Sequence, residues 1–297
     1  MNISGILNVD KPEGLTSHDV VDRIRRLSCQ RRVGHAGTLD PMATGVLIVC
    51  LGVATRLAEY VADARKSYLA TIRFGLLTDT WDAEGLVVAK RDLAGLLLSD
   101  IENALSSFRG CIEQVPPMYS ALKSQGQPLY RLARQGITIE RQPRMVEIYD
   151  ATIVDWRPPD LVLRIECSKG TYVRSLAYDL GQAIGVGAHL CALTRLAVGR
   201  FRMEDAVGLE TLWEGHSDGL WKRYLQPLHM AVSHLPSVVV GIDEAERILH
   251  GQTVDISLEG DGEICCAYGE GQRLLAILVR EPASGLWRTR KVLANHP

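Results

Sequence analysis

The sequence predicts an α+β fold: a mixed, mostly antiparallel central sheet with flanking helices, followed by a small C-terminal β-barrel-like module. Three observations carry this expectation. Strand and helix periodicities are interspersed without the regular alternation of a doubly wound sheet. Residues 67–75 alternate, with Tyr68, Ala70, Ile72 and Phe74 on one side, which is the period of a strand. Around residues 232–237 the character changes to closely spaced short strands. The expected division is 1–234 for the main domain and 235–297 for the appended module.

The elements follow in order. Residues 5–9 (Gly-Ile-Leu-Asn-Val) read as a strand, ended by the turn-rich Asp10-Lys11-Pro12-Glu13-Gly14. Thr16 and Ser17 can cap a helix in which Val20, Val21, Ile24 and Leu27 share one face, leaving Arg23 and Arg26 displayed away from it. A loop through Asp40 leads to a buried strand, Gly45–Leu51, then to an amphipathic helix with Leu57, Tyr60, Val61 and Ala64. Helical segments near 99–109 and 129–135 precede strands near 146–155 and 161–167, and a helix starts near 172, after Gly170-Thr171. In the C-terminal module a strand at Val238–Ile242 and a helix at Glu244–Leu249 lead into strands near 253–257, 263–268, 273–279 and 286–292.

Composition narrows the function. The chain of 297 residues is 46% hydrophobic and 23% charged, ordinary for a soluble globular protein, and its formal net charge is −2. No global positive field attracts nucleic acid, so such binding must rest on local clusters. Two clusters exist. Arg23, Arg25, Arg26, Arg31 and Arg32 precede Asp40 with no acid between Arg23 and Asp40, and 123–145 holds Lys123, Arg131, Arg134, Arg141 and Arg144 against Glu140. Taken singly, each also reads as a solvated face. Seven cysteines without CxxC spacing argue against a disulfide framework or a zinc site and suit a reducing cytosol. A basic region followed by an apolar signal stretch is missing, and the longest apolar run, Val46–Ala54, is too short to span a bilayer. A soluble, cytoplasmic protein without a membrane partner is expected.

Gly34-His35-Ala36-Gly37-Thr38-Leu39-Asp40-Pro41 places one carboxylate in a Gly-rich loop beside the arginine run. Asp before Pro is also ordinary turn chemistry. Lys169-Gly170-Thr171-Tyr172-Val173-Arg174 lies at a strand-to-helix junction, which aims side chains into a cleft. Arg174 near a helix start opposes the macrodipole, so a carboxylate would suit it; the alternative is a surface arginine. Tyr68 opens a strand, where tyrosines are commonly core residues. Rival chemistries find no motif. Gly185-Val186-Gly187 follows a helix and lacks a third glycine, and neither a Walker A pattern, a metal-spaced His pair nor a Ser elbow is present. An aspartyl-phosphate reading of Asp40 meets Met42 where a second acid is expected.

Several ordered motifs resemble the TruB family of tRNA pseudouridine synthases. They include Asn8-Val9-Asp10-Lys11-Pro12, the Gly34–Pro41 octapeptide, Lys66-Ser67-Tyr68 and Asp82-Ala83-Glu84-Gly85. Gln114–Lys123, Ser168–Leu176 and Leu193-Thr194-Arg195-Leu196-Ala197-Val198-Gly199 complete the series. The resemblance implies a pseudouridine synthase fold with a PUA-like RNA-binding module at the C-terminus. It implies Asp40 as nucleophile, Arg174 as its partner, and Tyr68 stacking on the uracil and serving in proton removal. Tyr172 and Leu193 would line the pocket, and His35 would fill the space left by a flipped base. Arg23, Arg26, Arg31, Arg32 and Lys123 would meet the RNA backbone, while Lys11 and Pro12 shape the first turn. The implied substrate is uridine-55 in the TΨC stem-loop of tRNA, handled by a monomer with no metal, cofactor, guide RNA or protein partner. Two alternatives share the scaffold: a non-catalytic RNA-binding or RNA-folding protein, and a guide-RNA-dependent synthase.

Overall fold

The strand β1 (Gly5–Lys11) is buried along almost its whole length and pairs antiparallel with β3 (Thr44–Leu51), in a computed structural model that describes residues 3–124, 126–258 and 262–293. Residue 125 of the basic segment, and residues 1–2, 259–261 and 294–297 of the two expected divisions, lie outside the described residues. Between these strands come α1 (Ser17–Ser28) and β2 (Val33–Ala36). Helix α1 starts in a capping box: the Thr16 hydroxyl accepts from the Asp19 N–H, and the Asp19 carboxylate accepts from the Thr16 N–H. Its buried face is the expected Val20, Val21, Ile24 and Leu27. His35 therefore sits on a strand, where a loop was expected.

The helix expected over Leu57–Ala64 is shorter. A 3-10 turn (Gly52–Leu57) runs into α2 (Ala58–Ala62), and the chain then turns sharply into β4 (Lys66–Phe74). Lys66 enforces this stop, donating Nζ to the carbonyls of Ala62 and Ala64. In β4 the alternation holds at every position, with Tyr68, Ala70, Ile72 and Phe74 buried. A hairpin of β5 (Leu76–Thr78) and β6 (Val87–Lys90) follows, then α3 (Leu98–Ser106) and β7 (Gly110–Gln114). The short pair β8 (Lys123–Ser124) and β9 (Gln127–Pro128) precedes α4 (Leu129–Arg134). Next come β10 (Arg144–Arg157), β11 (Asp160–Cys167) and α5 (Val173–Ile184), which ends at Gly185 with φ 89°.

The strand β12 (Ala188–Val198) was not anticipated, yet it lies at the centre of the sheet, between β3 and β4. Two register shifts break its period, and it buries His189 and Arg195, so it shows no clean alternation. The short strands β13 (Phe201–Arg202) and β14 (Val207–Gly208) and the helix α6 (Leu209–Glu214) complete the main body. Sheet order is β14-β1-β3-β12-β4-β11-β10-β7, with β2 on β3 and β13 on β12. The β1/β14 and β12/β3 pairs are parallel and the others antiparallel, the mixed sheet expected. Both faces of β3 are covered: Leu47, Val49 and Leu51 pack with α1, whereas Val46, Ile48 and Cys50 pack with Leu57, Val61 and residues beyond 260.

The last part holds β15 (Ser237–Val239), α7 (Ile242–Leu249), β16 (Ile264–Gly269), β17 (Arg273–Arg280) and β18 (Trp287–Val292). The strands pair in the order β15-β16-β17-β18. Where a further strand was expected near 253–257 there is a single bridge, Val254 to Trp287. Val254 exchanges both backbone hydrogen bonds with Trp287, and the Ile256 carbonyl accepts the Trp287 indole N–H at 3.0 Å. Among the described residues the pairing is that of an open sheet.

Candidate active site

The Asp40 loop, between β2 and β3, is fastened from several elements. Ser17 Oγ on α1 accepts from the Leu39 N–H at 2.8 Å and donates back to its carbonyl at 3.1 Å. Lys11 Nζ on β1 donates to the carbonyls of Pro12, Leu15 and Pro41, and burial pushes its ammonium down to about 8. That is the turn-shaping position read from the sequence. From β12, Arg195 donates to the carbonyls of Val46, Thr38 and Gly37. Gly45 takes φ 94°, and a side chain there would collide with the Arg195 backbone.

Arg174, in the first turn of α5, is only 4% exposed, and so is not a surface arginine. Its Nη2 donates to Asp40 Oδ1 at 3.1 Å, and its Nε lies 3.0 Å from Oδ2. On the other side Nη1 donates to Asp82 Oδ2 at 3.0 Å, and Nη2 also donates to the Tyr119 carbonyl at 2.7 Å. The carboxylate that Arg174 needs at a helix start is thus supplied twice. Sequence reasoning missed Asp82 as the second partner, because nothing local separates it from Asp79 in Thr78-Asp79-Thr80-Trp81-Asp82. Asp82 is itself held by the Thr80 hydroxyl and the Glu84 N–H.

Burial pushes the Asp40 carboxyl above its ordinary value. Arg174 pulls it back, the Asp82 charge pushes it up again, and Lys11 and Arg195 lower it further. Asp40 opens into a cavity of about 260 Å³ whose wall includes Lys66, Tyr68, Tyr172, Leu193 and Arg195. Tyr68 of β4 stands opposite Arg195 of β12 in the sheet register, and burial raises its phenol. Tyr172 is clamped by Gln114, which accepts from its N–H at 2.7 Å and donates to its carbonyl at 3.0 Å. Lys66 brings a third cation to this wall besides Arg174 and Arg195, with its ammonium pushed down to about 8 by burial.

Five sequence-chosen residues, Asp40, Tyr68, Tyr172, Arg174 and Leu193, therefore surround one space although the chain separates them widely. His35 stands outside it. It lines an adjoining cavity of about 840 Å³ that shares Asp40 and Arg174 and includes His18, Leu86 and Tyr130. Burial lowers the His35 pKa, and among the described residues its Nδ1 has no hydrogen-bond partner. Arg23 and Arg26 are exposed on α1, which carries His18, and Arg31 and Arg32 are exposed just before β2, which carries His35. Lys123, exposed on β8, and these four arginines line neither cavity. Arg195, buried to 1% exposure, was not singled out as a site residue; its only sequence signal is its place in Leu193–Gly199.

Comparison with known proteins gives the family. Residues 25–173 match the model of the TruB family pseudouridylate synthase N-terminal domain, and 174–233 match that of the tRNA pseudouridylate synthase B C-terminal domain. A protein of Dehalococcoides mccartyi named tRNA pseudouridine synthase B is 42% identical over 293 residues, covering 99% of this chain and 97% of that one. One of the same name from Pseudomonas aeruginosa is 46% identical over 256 residues, covering 85% and 84%. Among solved structures, an H/ACA RNP bound to a substrate RNA containing 2'-deoxyuridine superposes with TM-score 0.77 at 25% identity, covering 98% and 85%. Among the described residues no helix is long and apolar enough to cross a membrane. The chain belongs to the TruB family of pseudouridine synthases, isomerases that act on RNA.

Proposed function

We propose that this chain converts uridine-55 in the TΨC stem-loop of tRNA to pseudouridine, alone in the cytoplasm as a monomer, without cofactor, guide RNA or protein partner. The observation that carries the reading is Asp40, a carboxylate aimed by a buried arginine into a cavity walled by Tyr68 and Leu193. The reaction is an isomerisation: the N1–C1′ bond breaks, the base turns, C5 joins C1′, C5 loses its proton and N1 gains one. Asp40 adds to uracil C6 or ribose C1′, and its ester-like adduct breaks down once the new bond is made. Arg174 keeps the carboxylate aimed. Tyr68 stacks on the uracil and assists removal of the C5 proton, while Tyr172 and Leu193 confine the ring.

A cavity of this size takes one base, so the uridine must leave its stack. His35, on the wall of the adjoining cavity, fills the space it vacates. Unstacking costs a few kcal/mol, which backbone contacts to Arg23, Arg26, Arg31, Arg32 and Lys123 offset. Residues 1–234 form the catalytic domain in this reading, and 235–297 a PUA-like RNA-binding module. The name carried by relatives matching 85–99% of the chain favours tRNA over a guided substrate. The test is incubation of the pure protein with an unmodified tRNA transcript, scoring pseudouridine position by position. Product at position 55 is expected; none without added guide RNA would overturn the proposal.

A further inference from the structure

Two arginines grip the same pair of segments. Arg174 holds Asp82 and the Tyr119 carbonyl. Arg141, between α4 and β10, donates to the Pro116 carbonyl at 3.1 Å and stands 5.4 Å from the centroid of the Trp81 ring. Trp81 adjoins Asp82, and Pro116 and Tyr119 bound the stretch Pro116-Pro117-Met118-Tyr119. A separate cavity of about 380 Å³, lined by Trp81, Met118 and Arg141, lies on this second side.

Trp81 is also joined to α5. Its ring stacks on Tyr178, with centroids 4.3 Å apart and planes 17° from parallel. Tyr178 follows Arg174 by one helical turn, so residues 81–82 and α5 are linked by two rungs, Asp82 to Arg174 and Trp81 to Tyr178. Trp81 takes φ 65°, a left-handed conformation that a bulky residue keeps only where its surroundings hold it. Its backbone bonds, to the Thr78 carbonyl and from the Leu190 N–H, do not require an indole. The ring contacts do.

We infer that Trp81, clamped by Tyr178 and Arg141, is a positioning residue that sets the Asp82 carboxylate on Arg174 and ties the basic chain carrying Arg141 to that pair. The inference rests on reading Asp40 and Arg174 as the reacting pair. RNA seated on the chain that bears Arg131, Arg134 and Arg141 then acts on the alignment of Arg174.

Steady-state kinetics of the full chain on unmodified tRNA test this. Tyr178→Ala and Trp81→Gly are expected to lower kcat about tenfold or more, with KM within about threefold. Tyr178→Phe, which keeps the stack, restores kcat. Arg141→Ala gives a smaller loss, again in kcat. In an Asp82→Asn background Tyr178→Ala adds little, because both act through Arg174. Unchanged kcat in Tyr178→Ala, a loss confined to KM, or full additivity with Asp82→Asn overturns the inference. Should Tyr178→Ala fail to fold, Trp81→Gly, with a residue suited to positive φ, and Arg141→Ala decide by the same criteria. Inactivity of the unaltered chain would instead overturn the proposed function, and this inference with it.

Discussion

Replacing Asp82 with Asn tests the site at its more buried carboxylate. The substitution keeps the shape and an acceptor oxygen but removes the charge that Arg174 Nη1 meets at 3.0 Å. At an effective dielectric near 20, opposite charges about 4 Å apart attract by about 4 kcal/mol, and desolvation offsets part of this. With a neutral acceptor retained, the fold loses about 2 kcal/mol, or about 3 °C of Tm for a chain of this length. Arg174 keeps Asp40 and the Tyr119 carbonyl, so α5 and the Asp40 loop stay joined. The guanidinium is no longer fixed by its buried partner, however. A displacement of about 1 Å at a reacting centre can cost about 100-fold in rate, and that sets the expected fall in kcat. The assays are thermal unfolding, filter binding of tRNA, and single-turnover pseudouridine formation at saturating enzyme. Binding should stay within about threefold, because Asp82 touches no part of the arginine run. Removing the negative charge also lowers the Asp40 pKa, so the acid limb of the rate profile moves to lower pH. Full turnover by Asp82→Asn would refute the claim that Arg174 needs both carboxylates.

Other expectations concern the nucleophile and the RNA surface. Asp40→Asn should abolish turnover while tRNA binding stays within a few fold; site-resolved pseudouridine detection with filter binding checks both, and retained turnover would place the nucleophile elsewhere. Because burial raises the Asp40 carboxyl and attack needs its ionised form, kcat should fall as pH drops through a value above the ordinary ~4. A profile flat down to that value contradicts the sign. Arg23→Gln with Arg26→Gln should weaken binding of every tRNA and lower the slope of log K against log salt by about one per lost phosphate contact. An unchanged slope removes α1 from the RNA path.

What the sequence made legible was local. The alternation of β4 reported one buried face, and Thr16 with the apolar spacing after it marked the start and inner face of α1. What it concealed was set by distant partners. Strand β12 buries Arg195 on carbonyls of Gly37, Thr38 and Val46, so a charged residue occupies a core position that no periodicity would assign. Arg174 reaches Asp40 across 134 positions and Asp82 across 92. From the loop alone Asp40 was equally a turn residue, and its likeness to a known motif, not its spacing, set it apart.

The formal charge of −2 shows the same division between bulk and site. Buried positive side chains, Lys11, Lys66, Arg174 and Arg195, outnumber the buried acid Asp82, with Asp40 at the cavity wall. The interior therefore carries more than its share of cations, and the surface is more acidic than the total suggests. That would count against RNA binding if charge were spread evenly. It is not: three of these cations wall the Asp40 cavity, and Arg23, Arg26, Arg31 and Arg32 stand exposed on α1 and between it and β2. Positive charge gathered locally can attract a polyanion whatever the sign of the total, so a net charge of −2 does not weigh against an RNA substrate.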